Sequence, residues 1–101
     1  MTELPDELIS QLLDLIDRLR DETADFLDDP GDQQQWYDRG YANGMLIALQ
    51  QLGQAARLGD RMPDDEADLQ GHIAMPWGKA YRHGESRGGA ETYEISGNPI
   101  T

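Results

Sequence analysis

The apolar residues near the start of the chain recur in alternating steps of three and four positions. Such a heptad pattern is typical of a helix with a continuous apolar seam. We predict a helix from about Pro5 to Leu27, ended by the Pro30-Gly31 turn that follows it. The seam consists of Ile9, Leu12, Ile16, Leu19 and Phe26, with Thr23 in the remaining slot and with Leu8, Leu13, Leu15 and Leu27 on its flanks.

A second apolar pattern predicts a helix from about Gln33 to Leu58. Asp32 is a suitable N-cap, and Gly59 is a suitable left-handed cap at the other end. Trp36, near the start of this helix, is expected to pack close to Phe26. The positions that keep the four-three rhythm are Tyr41, Met45, Ala48, Leu52 and Ala55.

Two glycines, Gly40 and Gly44, interrupt this helix and are followed four positions later by Ala48. Each glycine inside a helix costs about 1 kcal/mol relative to alanine. Their spacing therefore predicts a helix face that another backbone approaches closely, by the steric argument known from membrane helices. The alternative is a break at Asn43-Gly44. The continuous helix is favoured because the apolar rhythm runs through both glycines.

We predict an all-α fold. The short loop between the two long helices favours an antiparallel helical hairpin. Because the first helix has more apolar positions than one contact can bury, dimerisation into a four-helix bundle is the simplest completion, and a tail that folds back is the alternative. The predicted units are the hairpin, residues 1–59, and an irregular tail, residues 60–101.

The tail, residues 60–101, contains a short acidic stretch that could form a small helix ending near Gly71. Residues 86–89 are typical of a flexible linker. The alternation in Glu91–Ile95 predicts one short strand. Trp77 lies in a Met-Pro-Trp-Gly segment and must dock to become fixed, and docking on its own chain is favoured over docking on a partner.

Charge is strongly negative and unevenly distributed. The 101 residues have a net charge of −12, with twenty acidic residues and eight Lys or Arg. Residues 1–32 hold eleven acids and two arginines, whereas residues 71–89 hold Lys79, Arg82 and Arg87 against Glu85. The balance opposes direct binding to nucleic acid and to anionic membranes. It predicts basic protein partners, and a tail that docks on the first helix of its own chain or of a neighbour. The alternative is that acidity serves solubility only.

The residues offer little for catalysis or metal binding. The sequence has no cysteine, which excludes disulfides and zinc–thiolate sites. His72 and His83 are too far apart in sequence to form a helical ligand pair, so we interpret them as packing or solvent-facing side chains rather than as a weak site with Glu85. We predict no catalytic residue, no metal site and no cofactor. Without a recognisable signal or membrane segment, we expect a cytoplasmic protein.

The functional hypothesis is a non-enzymatic protein that self-associates as a homodimer and binds a basic surface of a protein partner. One alternative is a DNA mimic that inhibits a nucleic-acid-binding protein, as small phage inhibitors do. A small enzyme or a metal carrier is less favoured. The predicted partner-binding residues are Asp14, Asp17, Asp21, Asp25 and Asp28 on the first helix, with Trp77, Tyr81 and Arg82 in the tail.

Overall fold

The computed structural model describes residues 5–96, and every regular element in that range is helical. The all-α class is confirmed. Two short 3-10 turns, Phe26–Asp28 and Ala55–Arg57, lie in the connections. The helices are α1 (Asp6–Glu22), α2 (Gln33–Gln51), α3 (Glu66–Leu69) and α4 (Pro76–Ile95). None of the helices within residues 5–96 combines the length and apolarity that crossing a membrane requires.

Helix α1 ends at Glu22 rather than at the predicted Leu27. The hydroxyl of Thr23 donates a hydrogen bond to the carbonyl oxygen of Leu19 at 2.6 Å, and the chain leaves helical geometry at this residue. The turn brings Phe26 into the interior, where it is 4% exposed. Local polar bonding and the burial of one aromatic ring therefore end the helix before the Pro-Gly turn.

The predicted seam of α1 is largely confirmed. Ile9, Leu12 and Ile16 are buried, and so are Thr23 and Phe26 beyond the helix end. Leu19 is only partly buried. The flanking leucines differ from one another, since three are partly buried and Leu27 is exposed. A single stripe of α1 therefore makes most of its contact with the rest of the chain.

Helix α2 is continuous through both glycines, so the favoured continuous helix is confirmed and the alternative break at Asn43-Gly44 is wrong. The N-cap at Asp32 is confirmed, because its carboxylate accepts a hydrogen bond from the backbone N–H of Gln35 at 3.1 Å. Phe26 packs edge-on against Trp36, as expected, with ring centroids 4.8 Å apart.

The C-terminus of α2 comes earlier than predicted, at Gln51 instead of Leu58. Gly53 has a φ of +83°, and the N–H of Gln54 bonds to the carbonyl of Leu49 at 2.9 Å. This is a Schellman motif, in which a left-handed residue satisfies the last carbonyls of a helix. The expected cap at Gly59 has a φ of +63° but follows the 3-10 turn, not α2.

The predicted irregular tail is wrong for residues 76–95, which form the 20-residue helix α4. The predicted strand Glu91–Ile95 is its last part and is also wrong. Pro76 occupies the start of α4, where its fixed φ and missing N–H suit a helix. The small helix expected before Gly71 is confirmed as α3. The division into units at residues 59 and 60 stays a prediction.

Two apolar clusters form the core, one against each half of α2. The first joins α1 to α2, and the second joins the α1–α2 connection to α3 and α4. The members of the first are Ile9, Leu12, Ile16, Met45, Leu46, Leu49 and Leu58, and those of the second are Phe26, Trp36, Leu69 and Tyr81.

Helices α2 and α4 touch backbone to backbone. A Cβ atom added at Gly40 would lie 2.0 Å from the carbonyl oxygen of Tyr81, and one added at Gly44 would lie 2.0 Å from that of Glu85. The contact is reciprocal, because Gly84 and Gly88 of α4 face carbonyls of α2 in the same way. Since Gly44 lies one turn after Gly40 and Glu85 one turn after Tyr81, the two helices run in the same direction. The predicted close approach to α2 is confirmed, and α4 is the element that makes it.

Candidate functional site

The exposed side of α1 carries Asp14, Asp17 and Asp21, which we call the acidic face of α1. Residues three and four apart share one side of a helix. All three are exposed, while the opposite stripe of α1 is buried. Asp25 and Asp28 are exposed too, but they lie beyond the end of α1. The five aspartates predicted as one row therefore lie in line only from Asp14 to Asp21, because α1 ends at Glu22.

One aspartate of the acidic face already forms an ion pair with an arginine of the same chain. Arg61 forms a bidentate ion pair with Asp17, in which both N–O distances are 2.8 Å. The hydrogen bond from Arg61 lowers the pKa of Asp17, and Asp17 in turn raises the pKa of Arg61. The Asp17 side chain is 51% exposed, so solvent screening leaves this pair worth little stability. Within residues 5–96, Asp14 and Asp21 form no ion pair shorter than 4 Å.

Within residues 5–96, the arginines that form ion pairs with carboxylates of α1 come from the α2–α3 connection and not from α4. Arg57 pairs with Asp6 at 2.7 Å, in addition to the Arg61–Asp17 pair. The expectation that the tail docks on α1 of its own chain is wrong, because α4 packs chiefly on α2. Its Arg82 pairs with Glu66 and Glu85 instead. Docking on a neighbouring chain stays a prediction.

Tyr81 is a core residue and not an accessible partner contact. It is 1% exposed, and its hydroxyl donates to Asp64 Oδ2 at 2.7 Å. Burial raises its pKa strongly, and the adjacent Asp64 carboxylate adds to the effect. The assignment of Tyr81 to a partner surface is therefore wrong for the folded chain.

Trp77 and Arg82 are partly buried. The indole N–H of Trp77 donates to Nδ1 of His72 at 3.0 Å, so Trp77 docks on its own chain, as favoured from the sequence. The hydrogen bond that Arg82 donates to Glu66 raises the pKa of Arg82, and burial opposes it. The same guanidinium lowers the pKa of Glu66. Each of these side chains is held by its own chain, which leaves the α1 acidic face, with Asp25 and Asp28 beyond it, as the accessible part of the predicted set.

Sequence reasoning missed a buried ion pair between Arg39 and Asp64. Their closest N–O distance is 2.7 Å, and the two side chains are 14% and 9% exposed. Arg39 also donates to the carbonyl of Arg20 at 3.2 Å and lies over the ring of Phe26. A buried carboxylate needs such partners to offset its desolvation.

The polar network continues from Asp64 to α4 through Asn43. The side-chain oxygen of Asn43 accepts from the backbone N–H of Asp64, and its amide donates to Glu85, both at 2.8 Å. Glu85 then accepts from Arg82 at 3.1 Å. Among the described residues no buried side-chain polar atom lacks a partner. The network therefore holds α4, α2 and the intervening connection together.

Two surface grooves adjoin α2. One of about 290 Å³ runs between α2 and α4 beside Gly44, Ala48 and Gly89. A second, of about 430 Å³, is acidic and lies near the start of α2, beside Asp29 and Asp32. Within residues 5–96, no group of three or more acidic or histidine side chains is placed to hold a metal ion.

Comparison with protein-family models, with curated proteins and with solved structures finds no match to this chain.

Proposed function

We propose that the chain is a non-enzymatic binding protein whose α1 acidic face engages a basic surface of a protein partner. The observation that carries the proposal is the outward row of Asp14, Asp17 and Asp21 on a helix whose other side is buried. The core fixes the helix, so the carboxylates are presented in a set orientation. A surface of one charge sign steers an oppositely charged partner and accelerates its association.

The charge distribution supports α1 as the contact. Residues 1–32 contain eleven of the twenty acidic residues of the chain. Asp14 and Asp21 stay available to a partner, because neither forms an ion pair shorter than 4 Å within residues 5–96. A basic partner would therefore meet at least two uncompensated carboxylates on one side of one helix.

The experiment is affinity capture from the native host with wild-type protein and with the Asp14→Lys/Asp21→Lys variant. Proteins identified by mass spectrometry are then purified and titrated by calorimetry at low and high salt. We expect a basic protein that wild type retains, that the variant loses, and that salt releases.

The matched control is Asp68→Lys/Glu94→Lys, which changes the net charge equally at two exposed acids outside α1. It should retain the partner. Equal capture by wild type and by the α1 variant would contradict the proposal.

The DNA-mimic alternative has less geometric support. The straight row from Asp14 to Asp21 covers about 10 Å at the helical rise of ~1.5 Å per residue. Duplex DNA carries a charge about every 1.7 Å along its axis. Three carboxylates over that length are too sparse to imitate a phosphate array, whereas they suffice for a few ion pairs with a basic protein.

We also propose that α1 and α2 form an antiparallel hairpin. In support, Arg39 in the first half of α2 bonds to the carbonyl of Arg20 near the end of α1. A four-helix bundle built from two copies has one observation in its favour, the partial burial of Leu8, Leu13 and Leu15. Against it, α4 already covers the second side of α2.

A further inference from the structure

Helix α4 has a basic stripe on its outer side, formed by Lys79, His83 and Arg87. The three residues follow one another at steps of four, so they lie along one line of the helix. All three are exposed. The residues buried on the opposite side of α4 are Gly78, Tyr81, Gly84, Gly88 and Thr92.

The stripe stands out in a chain of net charge −12, whose only lysine is Lys79. Its cations are only weakly neutralised. Arg87 is 56% exposed and reaches Glu91 at 3.5 Å, a long contact between two solvated side chains. Glu94 is exposed and limits the stripe beyond Arg87. Lys79 takes part in no ion pair shorter than 4 Å within residues 5–96.

The basic stripe and the α1 acidic face do not meet within one chain. Each lies on the side of its helix opposite to the buried residues, and both helices bury those residues mainly against α2. Both charged surfaces therefore point away from the body of the molecule. A protein surface of opposite charge can therefore reach either of them only from a second molecule.

We propose that the basic stripe of α4 in one copy docks on the α1 acidic face of a second copy. The lengths agree, since Lys79 to Arg87 covers about 12 Å and Asp14 to Asp21 about 10 Å of helical rise. Because α1 and α4 lie on different sides of α2, this contact is head-to-tail, and a dimer is its first product. Because exposed ion pairs contribute little individually, the dimer is weak and depends on salt. The inference rests on the proposed function to the extent that α1 is the surface that receives basic groups.

The first measurement is sedimentation equilibrium of the full chain at two salt concentrations. At about 0.15 M the Debye length is ~8 Å, which screens the long-range repulsion between two copies of net charge −12 and spares short ion pairs, and at about 1 M it is ~3 Å. We expect reversible dimerisation at low salt and loss of the dimer at high salt. A monomer at low salt over the whole concentration range would overturn the inference. Dimerisation that strengthens with salt would overturn it too, because it would indicate the apolar bundle.

The second measurement exchanges the charges. Lys79→Glu/Arg87→Glu makes α4 acidic, and Asp14→Lys/Asp21→Lys makes α1 basic. Each variant alone should stay monomeric at low salt, and an equimolar mixture should regain the dimer as a mixed species. Circular dichroism checks that both variants keep the helix content of wild type. Dimerisation that survives either reversal, or a mixture that stays monomeric, would contradict the inference.

The outcomes separate this inference from the proposed function. Lys79→Glu/Arg87→Glu leaves α1 intact, so it should still capture the basic partner from the host. Wild-type protein that captures such a partner but never dimerises would overturn the α4–α1 contact alone. Wild-type protein that dimerises as described but captures no basic partner would overturn the proposed function alone.

Discussion

Helix α2 uses two different kinds of contact on its two sides. Toward α1 it presents large side chains, among them Met45, Leu46 and Leu49, which interdigitate with the α1 seam. Toward α4 it presents Gly40 and Gly44, and there the two backbones meet. The contact with α1 is stabilised by the burial of large apolar side chains. The contact with α4 is stabilised by close packing of the two backbones, which is possible because glycine has no side chain.

This difference determines which substitutions each contact tolerates. The α1 side should be sensitive to the removal of atoms, because a truncated side chain leaves a cavity. The α4 side should be sensitive to the addition of atoms, because a single methyl group would overlap a carbonyl. The α4 side also carries the polar network through Asn43 and Glu85, whose bonds depend on the same close approach.

The largest effect is expected at the α1 contact. Leu49 is fully buried, so Leu49→Ala should lower the free energy of unfolding by about 2–5 kcal/mol. The measurement is urea unfolding followed by circular dichroism. Leu27→Ala is the matched control, since Leu27 is 37% exposed and its truncation should cost at most about 0.5 kcal/mol. Equal losses in the two variants would contradict the assignment of Leu49 to the core.

An intermediate effect is expected at the α4 contact, where two adjacent glycines give opposite predictions. A Cβ at Gly88 would lie 2.1 Å from the carbonyl oxygen of Tyr41, so Gly88→Ala should destabilise the protein by about 1–3 kcal/mol. At Gly89 the nearest atom is 3.5 Å away, and Gly89→Ala should stabilise by up to about 1 kcal/mol through helix propensity. Thermal unfolding of both variants measures the difference. A stabilising Gly88→Ala would show that the helices are farther apart than described.

The smallest effect is expected at high pH, at the far end of the α4 contact. The Tyr41 hydroxyl donates to Glu91 at 3.0 Å, and burial followed by this bond raises its pKa to about 12. The unfolded chain loses this proton near pH 10, so the contribution is complete below pH 10 and disappears as pH rises through about 12. Absorbance titration of tyrosinate should show one more late-titrating group in wild type than in Tyr41→Phe, because the buried Tyr81 titrates late in both proteins. A Tyr41 that titrates near pH 10 would exclude the Glu91 bond.

The parts of the fold that the sequence predicts are those set by local signals. The seam at Ile9, Leu12 and Ile16, the cap at Asp32 and the close approach at Gly40 all follow from spacing and side-chain chemistry. The predicted ends of α1 and α2 are wrong for a different reason. Thr23 ends α1 with a bond from its hydroxyl to the carbonyl of Leu19, and Gly53 ends α2 with backbone bonds. Neighbouring sequences could equally have formed either kind of bond.

Helix α4 shows where local signals mislead. Its glycines each lower helix propensity by about 1 kcal/mol, which is why residues 86–89 are typical of a linker. The contact with α2 reverses that preference, because only glycine allows the approach. The spacing of Gly84 and Gly88 repeats that of Gly40 and Gly44, and this was the available signal. Tyr81 and Asp64 could not be placed from the sequence, since their burial depends on α4 being formed.

The shared direction of α2 and α4 also bears on the order in which the chain folds. To lie alongside α2 with the same polarity, the chain must first return along its length through residues 52–75. Asn43 and Glu85, which bond across this contact, are 42 residues apart in sequence. Contacts so distant close a long loop and form slowly. During synthesis on the ribosome, the glycine side of α2 therefore stays exposed until α4 has emerged. A chain truncated before Pro76 would expose this side permanently.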